Sequence, residues 1–157
     1  MTISLIAIGK TDNNQLQTLI NEYIKRIGFY IKFVFEVIPD VKNTKHLSEE
    51  QQKQKEGELI LSKISNADTL VLLDEKGKQF TSVDFANYLQ KHMNSGVKNV
   101  VFVIGGPYGF SEDVYARANG KVSLSKMTFS HQMVRLFFIE QLYRGFTILK
   151  NEPYHHR

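Results

Sequence analysis

Two stretches of this chain carry no polar alternation: TLVLLD at 69–74 and NVVFVIGG at 99–106. A strand with one face in water alternates apolar and polar residues. A short, continuous apolar run is the pattern of a strand covered on both faces, which requires helices above and below the sheet. The segments between strands supply them. NQLQTLINEYIKRIG sets Leu16, Leu19, Ile20, Tyr23, Ile24 and Ile27 at helical spacing, with Gly28 as its stop. A second helix follows Ser48, with Glu50 and Gln51 in its first turn. A third is capped by Thr81 or Ser82 and has Gly96 beyond its end; a short fourth is capped by Ser111, and a long last one begins at Ser130. ISLIAIG, YIKFVFEVI (closed by Pro39) and KVSLS read as the remaining strands, and EKGKQF as a turn. Strands alternating with helices predict an α/β fold. It is a mostly parallel sheet with helices on both faces, in a single domain over 1–157.

The last helix is apolar nearly all round: Met133, Val134, Leu136, Phe137, Phe138, Ile139, Leu142, Tyr143 and Phe146 exceed a single stripe. Such a helix needs partners on more than one side. Either it is a central core helix or it packs against a second subunit, and the expectation is a homodimer through this helix. No apolar run is long enough to cross a bilayer. MTISLIAIGK lacks a basic leader and a cleavage site, so it reads as a first strand. The chain has no cysteine, which excludes disulfides and thiolate metal sites and fits a cytoplasmic location. The net charge is +4, and 105–157 holds seven basic residues against four acids. That is a basic end suited to a polyanion or simply a solvated surface.

The loop VIGGPYG follows the second apolar strand. It lacks the Gly-Lys-Ser/Thr ending of a phosphate loop, and it is not G-x-G-x-x-G after a first strand. Its glycines admit a flat group against the backbone. In an open α/β sheet, loops at the carboxyl ends of strands converge on the ligand. Here those loops are the one after Asp74, the glycine loop, and SLSKMTFSHQMVR. The last of these mixes Ser, Thr and Lys with Leu124, Met127 and Phe129, which suits a heterocycle with apolar walls better than a triphosphate. In the tail NEPYHHR, Pro153 before an aromatic implies a directed chain. The adjacent His155 and His156 do not make a metal site.

Taken in order, VIGGPYG, SLSKMTFSHQMVR, EQLYRGF and NEPYHH, with IAIGK, KEGELIL and LLDEKGK earlier, resemble the RlmH-type RNA methyltransferases of the SPOUT class over essentially the whole chain. The resemblance implies an α/β-knot (trefoil) homodimer that uses S-adenosylmethionine to methylate N3 of a pseudouridine in 23S ribosomal RNA within the assembled ribosome, without a metal. Carried onto matching positions, it implies cofactor contacts at Leu73, at Gly105 and at Leu124, Ser125, Lys126, Met127, Thr128 and Phe129. It places Arg135, Arg144, Tyr154 and His155 near methyl transfer or the substrate RNA, with Tyr143 beside them, and has the partner's tail completing the pocket. Two departures stand out. Pro107-Tyr108 occupies the glycine loop where other members often carry Glu or a Ser-Asn pair, and Ser130 stands where many have Pro.

Methylating an imide nitrogen requires removal of one proton, for which a base near neutrality is best suited. The expectation is His155 as base, contributed by the opposite subunit, with His131 second. His131 also has a plainer reading as a hydrogen-bonded structural histidine. Arg144 or Arg135 is expected to stabilise the developing charge. The alternatives are a methyltransferase of the same class acting on another RNA such as transfer RNA, or a non-catalytic ribosome-binding factor.

Overall fold

Consecutive strand residues divide between two cores, as the pleat requires. In the computed structural model, which describes residues 1–156, Ile3, Leu5 and Ala7 face one cluster and Ile6 and Ile8 the other. Val100, Phe102 and Ile104 oppose Val101 and Val103 in the same way, and Val71 opposes Leu70 and Leu72. The elements run β1 (Thr2–Ile8), α1 (Asn14–Ile27), β2 (Lys32–Ile38), a 3₁₀ turn (Thr44–His46), α2 (Glu49–Ser62), β3 (Thr69–Gln79), α3 (Ser82–Asn94), β4 (Asn99–Ile104), α4 (Glu112–Arg117), β5 (Gly120–Ser123) and α5 (Met133–Leu149). All strand pairs are parallel, in the order β2-β1-β4-β3-β5. α1, α3 and α5 cover one face; α2 and α4 cover the other.

Local chemistry explains most boundaries. Asn13, Ser48, Thr81 and Ser111 each accept backbone N–H groups of a first helical turn, and Ser48 with Gln51 forms a full capping box. Gly96 ends α3 in the left-handed region (φ +79), whereas Gly28 closes α1 without it (φ −57). α5 begins at Met133, later than expected, after a turn joined to it by the Val134 N–H, which donates to the Ser130 carbonyl at 3.0 Å; Ser130 caps that turn. Its Oγ accepts the Met133 N–H at 3.0 Å.

EKGKQF is not a turn. β3 bulges between Leu73 and Lys78 and then resumes beside β5, so that Leu73 and Lys78 both register with Val122. Gly77 makes this possible: a Cβ there would lie 2.7 Å from the Lys121–Val122 peptide.

The apolar girth of α5 is largely satisfied within one chain. Leu136, Phe138, Ile139, Leu142, Phe146 and Ile148 are buried, and the helix packs against α1, α3 and the sheet. Gly145 lets α3 approach, since a Cβ would meet Leu89 Cδ1 at 2.9 Å. Met133 and Phe137 remain exposed on α5.

Candidate active site

β3 lies between β4 and β5, with Leu73 in register with Ile104 and Val122, so β4 and β5 end level with the start of the β3 bulge. A cavity of about 590 Å³ opens at those ends. Its walls are the β3 bulge (Leu73–Lys76), the glycine loop (Ile104–Phe110), the segment after β5 (Val122–Ser125 and Met127–Phe129), Tyr115 of α4, and His131 and Val134. Gly106 and Gly109 close the glycine loop as a tight turn. The Gly109 N–H donates to the Gly106 carbonyl at 3.1 Å, and Gly109 sits at φ +80, which favours glycine. Pro107 occupies the second turn position, where its fixed φ fits. At Gly105 the Phe110 ring already stands 3.1 Å from where a Cβ would be, so a side chain could only displace that ring. The segment after β5 is held by its own hydroxyls: Ser123 donates to the Ser125 carbonyl at 3.0 Å, and the Met127 N–H donates to Ser125 Oγ at 3.0 Å.

At the mouth, the Tyr115 hydroxyl donates to Asp74, which also accepts the Lys76 N–H at 2.8 Å. Burial and then the hydrogen bond to Asp74 push the Tyr115 phenol up to about 12, so it stays a donor at neutral pH. A smaller cavity of about 320 Å³ shares the wall Val122–Leu124 and Phe129 and reaches Glu140 and Gln141 on α5.

Glu140 is the hub of a second cluster. Its Oε1 accepts Arg144 Nη2 at 2.6 Å, Arg144 Nε at 3.1 Å and the Tyr154 hydroxyl at 2.9 Å. Tyr154 has one proton, already given to Glu140, so at their 3.2 Å contact Tyr23 is the donor to Tyr154. Arg144 also faces the Tyr154 ring, 4.7 Å from its centroid, and its Nη1 lies 3.1 Å from His155 Nδ1. A guanidinium only donates, so Nδ1 accepts and the neutral imidazole carries its proton on Nε2. Burial opposes the Arg144 charge, but the hydrogen bond to and charge of Glu140 outweigh it and its pKa is raised. Burial, with the bonds to Tyr23 and Glu140, raises the Tyr154 phenol as well.

The tail reaches this cluster because α5 ends in a Schellman motif. Asn151 turns left-handed (φ 54), its N–H bonds the Ile148 carbonyl and that of Glu152 bonds the Thr147 carbonyl. The chain doubles back, and Glu152 accepts the Tyr30 hydroxyl at 2.6 Å.

The expected site residues therefore divide. Leu73, Gly105, Leu124, Ser125, Met127, Thr128 and Phe129 share the large cavity; Lys126, within the same segment, is exposed and does not line it. Arg144, Tyr154 and His155 form the second cluster. Arg135 joins neither. It is 1 % exposed and donates to the Ile8 carbonyl (2.9 Å), Thr11 Oγ1 (3.1 Å) and the His131 carbonyl (3.1 Å), which ties the start of α5 to the end of β1. His131 itself lines the cavity, and it is its carbonyl that Arg135 uses. The basic residues of the last third are partly committed internally: besides Arg135 and Arg144, Arg117 donates to the Ser65 and Asp68 carbonyls. Arg157 lies outside the described residues.

Sequence reasoning missed Glu140, Tyr23 and the Asp74–Tyr115 pair. Glu140 had a usable signal, a carboxylate four residues before an arginine on an otherwise apolar helix. Among the described residues no group of three or more His, Cys, Asp or Glu could hold a metal ion, and no helix is long and apolar enough to cross a membrane.

Comparison with known proteins bears on the same chain length. Residues 1–155 match the family model described as "Predicted SPOUT methyltransferase". The chain is 74 % identical to "Ribosomal RNA large subunit methyltransferase H" of Flavobacterium johnsoniae and 73 % identical to that of Flavobacterium psychrophilum, over all 157 residues and the full length of each relative. The protein of that name from Christiangramia forsetii is 69 % identical over the same span. With its parallel sheet, its glycine loop and a match over nearly every residue, the chain belongs to the SPOUT methyltransferase family, in its RlmH branch.

Proposed function

We propose that this enzyme methylates N3 of a pseudouridine in 23S ribosomal RNA within the assembled ribosome, drawing the methyl group from S-adenosylmethionine. It acts as a cytoplasmic homodimer joined through α5. The observation that carries the reading is one cavity at the ends of β4 and β5 and the β3 bulge that gathers seven of the eight residues expected to meet the donor. The relatives named for ribosomal RNA of the large subunit support the substrate class.

The cavity suits such a donor. Leu73, Ile104, Leu124 and Phe129 offer apolar walls, and Gly105 leaves the backbone bare. Gly105 and the segment Leu124–Phe129 hold the donor in this reading, and the trefoil crossing of the SPOUT fold keeps those two segments together. When bound, S-adenosylmethionine supplies an activated methyl group, so the protein's work is positioning and the handling of one proton. Leu124 and Phe129 exclude water from one side of the cavity, and Tyr115 stays a proton donor toward Asp74.

The Glu140–Arg144–Tyr154 cluster presents a fixed cation toward the acceptor base, whose imide oxygens gain charge as N3 loses its proton. His155 is the proposed base. Its Nδ1 lone pair rests on Arg144, so it takes a proton only by swinging away from that guanidinium, which stays on Glu140. A second reading makes His131 the base, favoured by its place in the cavity wall.

In the remaining parts of the proposal, Met133 and Phe137 form the exposed apolar contact between subunits, and each tail serves the other subunit's cavity. Labelled methyl transfer onto ribosomes with and without the pseudouridine, and onto transfer RNA, tests the substrate. Undiminished methylation of ribosomes lacking the pseudouridine overturns the pseudouridine requirement, and transfer to transfer RNA alone overturns the ribosomal assignment. His155→Ala is expected to bind S-adenosylmethionine in calorimetry and lose turnover; full activity there, with loss in His131→Ala, moves the base to His131. Absence of donor binding in the unaltered protein leaves a ribosome-binding factor as the reading.

A further inference from the structure

KEGELIL places a glutamate where α2 meets the sheet, and the role proposed above does not use it. Glu56 is 3 % exposed on a face otherwise lined by Ile60, Val103, Phe110 and Val114. Its Oε2 accepts the Gln52 side-chain amide at 3.3 Å, and its Oε1 has no partner among the described residues. Buried polar atoms are rarely left so.

The carboxyl lies against the glycine loop. A methyl group on Gly106 would overlap Oε1 outright and stand 2.7 Å from Oε2. The next residue repeats the contact, since a Cβ on Gly57 would overlap Ser111 Oγ and lie 3.2 Å from Val114. Two consecutive residues of α2 are thus pressed onto the segment that runs from the cavity floor into α4. Burial raises the pKa of the Glu56 carboxyl and so favours the neutral acid; the Gln52 amide opposes this and Asp40 adds to it. Asp40 is the charged group facing Glu56 from the β2 side and Gln52 the polar group on its own helix. Arg135, which also feels Asp40, is engaged with Ile8, Thr11 and His131.

We propose that Glu56 is a positioning residue for the donor cavity: its carboxyl sets the seat of Gly105–Gly106, and its unmatched oxygen accepts a loop backbone N–H when the cavity fills. The inference rests on the reading that this cavity takes S-adenosylmethionine. An apolar residue of similar size removes the unmatched oxygen and with it the acceptor. It therefore leaves the free fold as stable or more so while weakening the donor. A side chain that matters only for packing does not produce that opposition.

The test is calorimetric titration with S-adenosylmethionine, paired with thermal unfolding of the free protein. Glu56→Leu is expected to match or exceed the unaltered Tm and to bind the donor about tenfold more weakly, about 1.4 kcal/mol. Glu56→Gln keeps an acceptor and is expected to bind within about threefold of the unaltered protein. Its affinity does not follow the titration of a carboxyl, whereas the unaltered protein binds more tightly as pH rises and the acid ionises, because a carboxylate accepts an N–H more strongly than a carboxylic acid does. Glu56→Leu that binds as tightly as the unaltered protein overturns the proposal, as does Glu56→Gln with an unchanged pH profile. If the unaltered protein binds no S-adenosylmethionine, it is the donor reading that fails.

Discussion

The large cavity and the α5–tail cluster treat polar groups in opposite ways. Around the cavity, Gly105 leaves the backbone uncovered, Glu56 keeps an unmatched oxygen behind the loop, and His131 faces the opening. At the end of α5, Tyr23, Glu140, Arg144, Tyr154 and His155 are bonded to one another. On the proposed reading the first region receives the donor and the second holds a fixed charge in place. A preorganised cation favours charge that develops during reaction, while an uncovered backbone favours ground-state binding. Donor affinity and turnover should therefore respond to different residues.

The most damaging change on this view is Arg144→Ala. It removes the guanidinium from Glu140 and releases His155, and methyl transfer to ribosomes should fall by about 10²–10³ with donor affinity nearly unchanged. Arg144→Lys should not restore it, because an ammonium cannot reproduce the fork on Glu140 while reaching His155. Equal losses in affinity and turnover would break the comparison.

On the cavity side, Gly105→Val crowds the Phe110 ring, which stands 3.1 Å from a Cβ there, and covers the bare backbone of the cavity wall. The expected loss is about tenfold or more in donor affinity, about 1.4 kcal/mol, with little effect on turnover at saturating donor. Calorimetry and steady-state kinetics read the two quantities separately.

A smaller effect separates charge from shape in the tail cluster. Glu140→Gln keeps the outline but makes charge-assisted bonds neutral. With both side chains of the Glu140–Arg144 pair partly solvated, about 1–2 kcal/mol of stability is at stake, a fall in Tm of about 3–6 °C by calorimetric scan. No change in Tm would mean that the cluster is held by the edge-to-face rings of Tyr143 and Tyr154 and not by charge.

The sheet was legible because TLVLLD and NVVFVIGG read as strands covered on both faces, and the helices because apolar spacing marks α1 while Ser48, Thr81 and Ser111 act locally as caps. The β3 bulge was not. EKGK has the composition of a turn, and only the pairing with Lys121–Val122 across Gly77 makes it part of a strand. The loops that line the cavity could be named because strand ends in a parallel sheet converge, and the resemblance supplied their individual residues; Arg135, which the resemblance also supplied, lies apart from them. Its guanidinium donates to the Ile8 carbonyl at the end of β1, 127 residues away, and to Thr11 Oγ1 and the His131 carbonyl, contacts that no local sequence pattern discloses. Glu56 was hidden for the opposite reason: EEQQKQKEGE reads as a solvated face, and its inward-turned carboxyl depends on which side of α2 meets the sheet.

The subtlest consequence is spectroscopic. Tyr115 at the cavity mouth and Tyr30 beside the tail are both pushed up from 10.0 to about 12, by burial first and then by their carboxylate partners, Asp74 and Glu152. Folding favours the protonated phenol at each, so this stabilisation is whole below about pH 10 and is lost as pH rises toward about 12. Absorbance titration should show these phenols ionising late in the folded protein, with Tyr115→Phe and Tyr30→Phe each removing one late step. Filling the cavity discriminates between them. Donor binding excludes water from the mouth, so it should delay Tyr115 further and leave Tyr30 where it is. An equal shift at both would mean that the cavity and the tail respond as one unit rather than as the separate regions drawn here.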